Sequence, residues 1–174
     1  MEKKIRYHSI RVHRTCIRIS LKEVKSLRTF AQSGFVVFNP DNLRVQRGLN
    51  ESSPIYQRVK HKLTDLGLLE KRLLGDAVVL HSFAGCQQQE WHTDFDPNIK
   101  TSTKPIGVIV ALENDTKFET PKKTYYLNKG DILCFDGDVI HAGSSYTKQN
   151  TRLHFYLDVP NVKRLKNKTW LVEL

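Results

Sequence analysis

The stretch GDILCFDGDVIHAGSSYTKQNTRLHFYLDV, residues 130–159, contains two short apolar segments separated by turn-forming residues. Both DILCF and TRLHFYLDV are rich in β-branched or aromatic residues and are bounded by Gly, Asp, Asn or Pro, which is typical of β-strands. Similar segments come before them in the chain, namely AVVLHSF, IGVIVALE and KTYYLN. Short strands at this spacing, with turn signals between them, predict a β-sandwich or a small barrel.

Two helices are predicted before this β-rich part. In SLKEVKSLRTFAQSG, Ser20 and Glu23 fit a capping box, and Gly34 suits the C-terminal cap. FVVF, residues 35–38, follows as a predicted short buried strand. The second predicted helix is SPIYQRVKHKLTDLGLLEKRLLG, with its end at Gly75.

The length of 174 residues suits one domain with its own core. We expect residues 1–75 to form a helical, basic N-terminal part and residues 76–159 to form the β core. Residues 160–174 form a basic tail, which is either a last strand or a peripheral segment. The whole chain is therefore predicted to be mostly β with flanking helices.

Features that the sequence lacks indicate where in the cell the protein is expected. No apolar run approaches the roughly 18 residues that a membrane span needs, so we expect no membrane partner. The first residues contain no apolar signal-peptide segment. The odd number of cysteines and the absence of a CxxC pair argue against a disulfide framework or a zinc ribbon; the three are Cys16, Cys86 and Cys134. We expect an intracellular protein, cytoplasmic or nuclear, that is not secreted.

The net charge of +10 is placed unevenly along the chain. Residues 1–75 contain 16 Lys and Arg against 6 Asp and Glu, whereas residues 76–174 contain 12 of each. A basic surface concentrates anionic partners. Nucleic acid and an anionic small molecule are both candidates, and a solvated face without a partner is the alternative.

QQQEWHTDFDP, residues 87–97, places His92 and Asp94 two residues apart. In a strand, residues i and i+2 project to one face, so the imidazole and the carboxylate are expected side by side. A His-x-Asp pair alone is common at the end of a surface strand.

A second histidine, His141, follows the DILCF strand, and Arg152 stands eleven residues later. Two histidines and one carboxylate are the ligand set of non-haem Fe(II) oxygenases, and a guanidinium suits the far carboxylate of a co-substrate.

In order and spacing, Q-x-W-H-x-D (residues 89–94), GDILCFDGDVIHAG and Arg152 resemble the Fe(II)/2-oxoglutarate-dependent dioxygenases, most nearly the phytanoyl-CoA and prolyl hydroxylase-like branches. The resemblance extends over about residues 20–158. It implies a double-stranded β-helix, a cupin-like jelly roll of two facing sheets. It also implies Arg152 as the anchor of 2-oxoglutarate, and as iron ligands His92, Asp94 and His141.

The same resemblance implies Fe(II), 2-oxoglutarate and O2 as cofactor and co-substrates. Many members of the family carry Arg-x-Ser, whereas this chain has Arg152-Leu153-His154. His154 shares a strand face with Arg152, so it either donates to the same carboxylate or packs as a hydrogen-bonded core histidine. Tyr125 and Tyr126 point to opposite faces of their strand. We assign Tyr126 to the 2-oxoglutarate site, with packing as the alternative.

The predicted function is a 2-oxoglutarate- and Fe(II)-dependent dioxygenase that hydroxylates a protein side chain or a small molecule, with release of succinate and CO2. An oxidative demethylase of nucleic acid is an alternative, given the basic N-terminal part. However, the second arginine of those enzymes is missing, because no arginine follows Arg152 until Arg164. A catalytically inactive jelly-roll binding module is a further alternative. The polar loop 95–104 is expected to form part of a lid at the substrate entrance.

Overall fold

The computed structural model describes residues 9–14, 17–37, 41–162, 164–165 and 168–174. Within these residues the elements follow in the order β1 (Ile10–His13), α1 (Leu21–Gln32), β2 (Phe35–Val36), β3 (Arg44–Gly48), α2 (Pro54–Asp65), β4 (Leu73–Ser82), β5 (His92–Thr93), β6 (Ile106–Ala111), β7 (Thr116–Thr120), β8 (Lys123–Leu127), β9 (Ile132–Asp136), β10 (Asn150–Asp158) and β11 (Trp170–Leu171). None of the described helices is long and apolar enough to cross a membrane. Cys86 and Cys134 form no disulfide, and Cys16 lies outside the described residues.

The larger layer is an antiparallel sheet of seven strands in the order β1-β9-β6-β10-β4-β3-β2. Side chains alternate between its faces, as the two-residue period of a strand requires. On β10, the apolar side chains Leu153, Phe155 and Leu157 pack with both helices in the main core. The residues that alternate with them, Arg152, His154 and Tyr156, line a cavity on the opposite face.

The smaller layer covers that opposite face. It contains the pairs β11-β5 and β7-β8, and residues 141–142 join the pairs through bridges to β5 and β7. Apolar side chains of the two layers form a second cluster; its buried members are Ile109, Ala111, Phe118, Leu127, Leu133, Phe135 and Val139. The prediction of a mostly β protein with a jelly-roll core is therefore confirmed.

The start of α1 and the end of α2 follow from local sequence. The Ser20 hydroxyl accepts a hydrogen bond from the Glu23 N–H, and the Glu23 carboxylate accepts one from the Ser20 N–H, which confirms the predicted capping box. The helix α2 ends earlier than predicted. Gly67 has a φ of +68°, and Leu68 N donates to Leu63 O, which is the hydrogen bond of a Schellman motif. This motif ends α2 near Asp65 and not at Gly75.

The first 75 residues contribute more to the sheets than the sequence predicted. β3 pairs with β4 inside the larger sheet, and β2 forms the edge next to β3. Phe35 and Val36 on β2 are 52% and 54% exposed, so the prediction of a buried strand is wrong for these residues, and Phe38 lies outside the described residues. Residues of this edge strand border the cavity. In the tail, β11 pairs with β5 and is therefore a last strand.

Candidate metal centre

Two backbone segments bring the predicted histidine ligands together. His92 lies on β5, and the segment that follows β9 crosses it antiparallel at His141. The two residues exchange both backbone hydrogen bonds, each at 2.9 Å. Such a doubly bonded pair fixes the positions from which both side chains project. As a result the two imidazole centroids lie 4.5 Å apart.

Asp94, the residue directly after β5, completes this cluster. Its Oδ1 lies 3.6 Å from His141 Nε2. One ligand atom from each of the three residues lies within 4.8 Å of the other two, and no other group of this kind occurs in the described parts of the chain. All three residues are at most 8% exposed. The structure thus brings together the three predicted ligands, and their donor set fits an Fe(II) ion with open coordination positions.

Backbone carbonyls orient both imidazoles for a metal. His92 Nδ1 lies 2.8 Å from Glu90 O, and His141 Nδ1 lies 2.9 Å from Val139 O. A carbonyl oxygen only accepts, so these contacts assign the hydrogen of each neutral ring to Nδ1. Each Nε2 then keeps a lone pair directed at the cluster, which is the usual arrangement of metal-binding histidines.

The electrostatics of the cluster favour neutral imidazoles beside an ionised carboxylate. Burial, followed by the charge of His141, lowers the pKa of His92 to about 4. Burial also lowers the pKa of His141. Burial acts to raise the pKa of Asp94, but the neighbouring His141 and His154 outweigh it and hold that pKa well below its usual range. These are the protonation states in which all three groups bind a divalent cation.

A cavity of about 250 Å³ opens next to the cluster. Its inner wall contains Arg152, which was predicted to hold the co-substrate. The Arg152 Nη1 donates to Ser82 Oγ at 3.1 Å, and its guanidinium lies 5.5 Å from the Tyr146 ring centroid. These contacts hold a buried cation inside the cavity, where it can bind an anion.

Arg44 is a second buried guanidinium at this wall, and no local sequence pattern indicates its place there. Its Nε donates to the same Ser82 Oγ at 3.1 Å, and its Nη2 donates to Ser144 O at 2.7 Å. Burial, followed by the charge of Arg152, lowers the pKa of Arg44 to about 10. Two cations that share one hydroxyl make this end of the cavity strongly positive. Only the pairing of β3 with β4 places Arg44 here, 38 residues before Ser82.

Several solved structures are similar to this chain over most of its length. HygX from Streptomyces hygroscopicus, with nickel and 2-oxoglutarate bound, has a TM-score of 0.65 and 12% identity, covering 91% of this chain and 86% of that chain. The viral collagen prolyl hydroxylase vCPH from Paramecium Bursaria Chlorella virus-1, as its 2OG complex, has a TM-score of 0.60 and 15% identity, covering 86% and 96%. An oxidoreductase of the 2OG-Fe(II) oxygenase family from Burkholderia pseudomallei has a TM-score of 0.58 and 9% identity, covering 89% and 86%.

This chain has the fold of the 2-oxoglutarate–Fe(II) oxygenases. At identities of 9–15%, the similarity concerns the fold. No protein-family model and no curated protein sequence matches the chain.

In this oxygenase fold, Tyr126 lies on the β7–β8 hairpin and does not reach the cavity. Tyr126 is 61% exposed. Tyr125, in contrast, packs edge-on against Phe118, with ring centroids 6.4 Å apart. The prediction that Tyr126 contacts 2-oxoglutarate is therefore wrong. Alternation allowed only one of the two tyrosines to face inward, and that residue is Tyr125, which packs in the second core cluster.

The loop 95–104 of the oxygenase fold lines a different cavity, together with Asp138 and Val162. The prediction that this loop covers the substrate entrance is not supported. Residues from β2 and from the tail border the cavity next to the metal cluster; among them are Phe35, Val36, Arg164, Lys168 and Leu171. Gln89 also lines that cavity, whereas Trp91 does not.

His154 lines the cavity and is directed at the metal cluster. Its Nε2 lies 3.3 Å from Asp94 Oδ2. Its ring lies against Tyr156, with centroids 4.1 Å apart. The guanidinium of Arg164 in turn lies 3.9 Å from the Tyr156 centroid. Three side chains in successive contact, those of His154, Tyr156 and Arg164, therefore connect the cluster to the tail.

His81 on β4 is a buried histidine outside the metal cluster, and it gives a prediction for stability. Its Nδ1 lies 3.0 Å from Thr151 Oγ1. Burial, followed by the charge of Arg28, lowers the pKa of His81 from 6.5 to about 4. The unfolded chain therefore takes up a proton first as the pH falls. The stability that neutral His81 contributes is complete above pH 6.5 and is lost between pH 6.5 and pH 4.

We expect the free energy of unfolding of the metal-free wild type to fall by about 2 kcal/mol more than that of H81Q between pH 7 and pH 5. Urea unfolding of both proteins with a chelator present measures this difference. Parallel losses of stability in the two proteins would show that His81 is not the titrating group.

Proposed function

We propose that this protein is an Fe(II)- and 2-oxoglutarate-dependent dioxygenase that hydroxylates a C–H bond. The observation that carries the proposal is the buried cluster of His92, Asp94 and His141 beside a cavity that contains Arg152. Bound Fe(II) supplies the oxidation chemistry, in which one oxygen atom of O2 enters the C–H bond, the other enters succinate, and 2-oxoglutarate loses CO2.

The protein supplies position and charge for this reaction. His92 and His141 present Nε2 because their Nδ1–H groups are bonded to backbone carbonyls. Asp94 contributes the negative charge that balances part of the cation. Arg152 binds the distal carboxylate of 2-oxoglutarate, and Arg44 adds positive charge to the same end of the cavity. Burial of these groups excludes water, so their electrostatic interactions are strong.

The cavity mouth supports a protein side chain or a small molecule as the substrate. Phe35, Val36 and Leu171 expose apolar surface there, and Lys168 adds a positive charge. A substrate with an apolar part and an anionic group fits this surface. Among proteins with this fold, HygX has been solved with hygromycin B bound, and vCPH is a collagen prolyl hydroxylase. Proteins with this fold thus include one that binds a small molecule and one that is named for a protein substrate.

Nucleic acid is less well supported by the same surface. The first arginine after Arg152 is Arg164, which lies over the Tyr156 ring and forms ion pairs with Asp76 and Asp158. Its charge is therefore balanced by two carboxylates. A guanidinium held in this way contributes little to binding of a phosphate backbone.

Anaerobic addition of Fe(II) and 2-oxoglutarate tests the proposed function. We expect the weak visible charge-transfer band of a metal-bound 2-oxo acid in the wild type, and no band in H141A. A screen for succinate release over candidate substrates then identifies the compound that is oxidised. Absence of the band from the wild type would overturn the proposal and favour a binding module without turnover.

A further inference from the structure

Asp94 presents its two carboxylate oxygens to different neighbours. Oδ1 is the oxygen next to a ligand histidine, 3.6 Å from His141 Nε2. Oδ2 faces His154 Nε2 at 3.3 Å. Both Asp94 Oδ2 and His154 Nε2 are buried, and neither has a hydrogen-bond partner with good geometry in the described parts of the chain. An isolated buried oxygen or ring nitrogen is costly, so two such atoms facing each other indicate a functional pair.

The ring of His154 is held in this direction by its surroundings. The residue lies on β10, the strand between β6 and β4, and it is 6% exposed. One side of the ring rests on Tyr156. Phe135 lies near it as well, with ring centroids 6.0 Å apart. Packing of this kind keeps the ring from turning away from Asp94.

We propose that His154 is a positioning residue that donates its Nε2–H to Asp94 Oδ2 and keeps Asp94 a monodentate ligand through Oδ1. The proposal rests on the proposed function only in that a metal binds at the cluster. His154 occupies the place of the serine in the Arg-x-Ser pattern. An imidazole reaches further from the strand than a serine hydroxyl, and here it reaches the metal-binding carboxylate. Partners that hydrogen-bond a ligating carboxylate tune both its orientation and the affinity of the site.

Direct ligation by His154 is the competing interpretation. The group of candidate ligand atoms within 4.8 Å of one another consists of His92, Asp94 and His141, and it does not include His154. A glutamine at position 154 separates the two roles. Its amide N–H reaches about as far as Nε2–H and can donate to Oδ2, but an amide nitrogen is not a metal ligand.

The test is anaerobic titration of the metal-free wild type, H154L, H154Q and H154N with Co(II), followed by visible absorption. H154L is expected to bind Co(II) about 10- to 100-fold more weakly. Its spectrum should change as well, because Oδ2 becomes available to the same ion. H154Q should recover most of the affinity, and H154N should not, because its shorter side chain does not reach Oδ2. The matched control H81Q changes another buried histidine and should bind Co(II) like the wild type.

Thermal unfolding of each metal-free variant shows which of them fold. If H154L does not fold, the comparison of H154Q with H154N decides, since both keep an amide. Wild-type affinity and spectrum in H154L, or an H154Q no better than H154N, would overturn the positioning role. Failure of the wild type to bind Co(II) would instead overturn the proposed function and this inference with it.

Discussion

Replacing Asp94 with alanine is expected to reduce 2-oxoglutarate turnover to the background rate and to weaken metal binding by at least about a hundredfold. The substitution removes the one negatively charged group of the cluster and leaves two neutral imidazoles. Two imidazoles alone do not hold a divalent ion firmly beside a cavity that also contains the cations of Arg44 and Arg152. Co(II) titration and succinate release measure the two losses separately.

Asp96 provides a matched control for this experiment. It lies two residues further along, in the loop that leaves β5, where its Oδ1 accepts a hydrogen bond from Asn98 N. It lines the second cavity and not the one beside the metal cluster. D96A should therefore keep the metal affinity and the turnover of the wild type. Turnover retained by D94A would remove Asp94 from the ligand set.

The second large effect is expected from R152Q, which should bind 2-oxoglutarate more weakly by about 2–5 kcal/mol, or roughly 30- to 5,000-fold in Kd. The guanidinium is 4% exposed, so its interaction with a carboxylate is little weakened by water. R152K keeps the charge but loses the planar pair of donors, so it should fall between the wild type and R152Q. Metal affinity should not fall in either variant, because Arg152 is not a ligand.

Selectivity between 2-oxo acids makes this test specific. The wild type should prefer 2-oxoglutarate to 2-oxopentanoate, which lacks the distal carboxylate, and R152Q should lose that preference. R47Q is a suitable control, because the guanidinium of Arg47 lies over Phe30 and bonds Ser33 outside the cavity. An unchanged preference in R152Q would transfer the anchoring role to Arg44, the other buried cation at this wall.

The parts of the site that were predictable from the sequence depend on local geometry. The two-residue spacing of His92 and Asp94 indicated that their side chains lie close together, although β5 ends at Thr93, just before Asp94. His141 follows β9, and Arg152 lies on β10. The jelly-roll core was predictable for the same reason. Alternation of apolar and polar residues on β10 marks one face for the helices and one for the cavity.

The parts that were not predictable depend on strand pairing between distant segments. Arg44 lies in the cavity because β3 pairs with β4, and no local pattern specifies that register. The contact of His154 with Asp94 requires β10 and β5 to face each other across the two layers. Tyr126 was misassigned because alternation distinguishes two faces of β8 but does not say which of them turns inward. The apolar residues of β2 predicted a buried strand, but apolar residues also occur at the mouth of a cavity, and composition alone does not distinguish the two positions.

The tail has a consequence for biosynthesis. β11 pairs with the strand that carries His92, and Arg164 rests on Tyr156. A ribosome makes Arg164 and β11 after all three ligands of the cluster have been made, so the nascent chain contains its ligands before this part of the cavity border exists. Stable loading with metal is therefore expected to follow synthesis of the tail. Messages truncated upstream of codon 164 should yield a protein that accumulates without its metal.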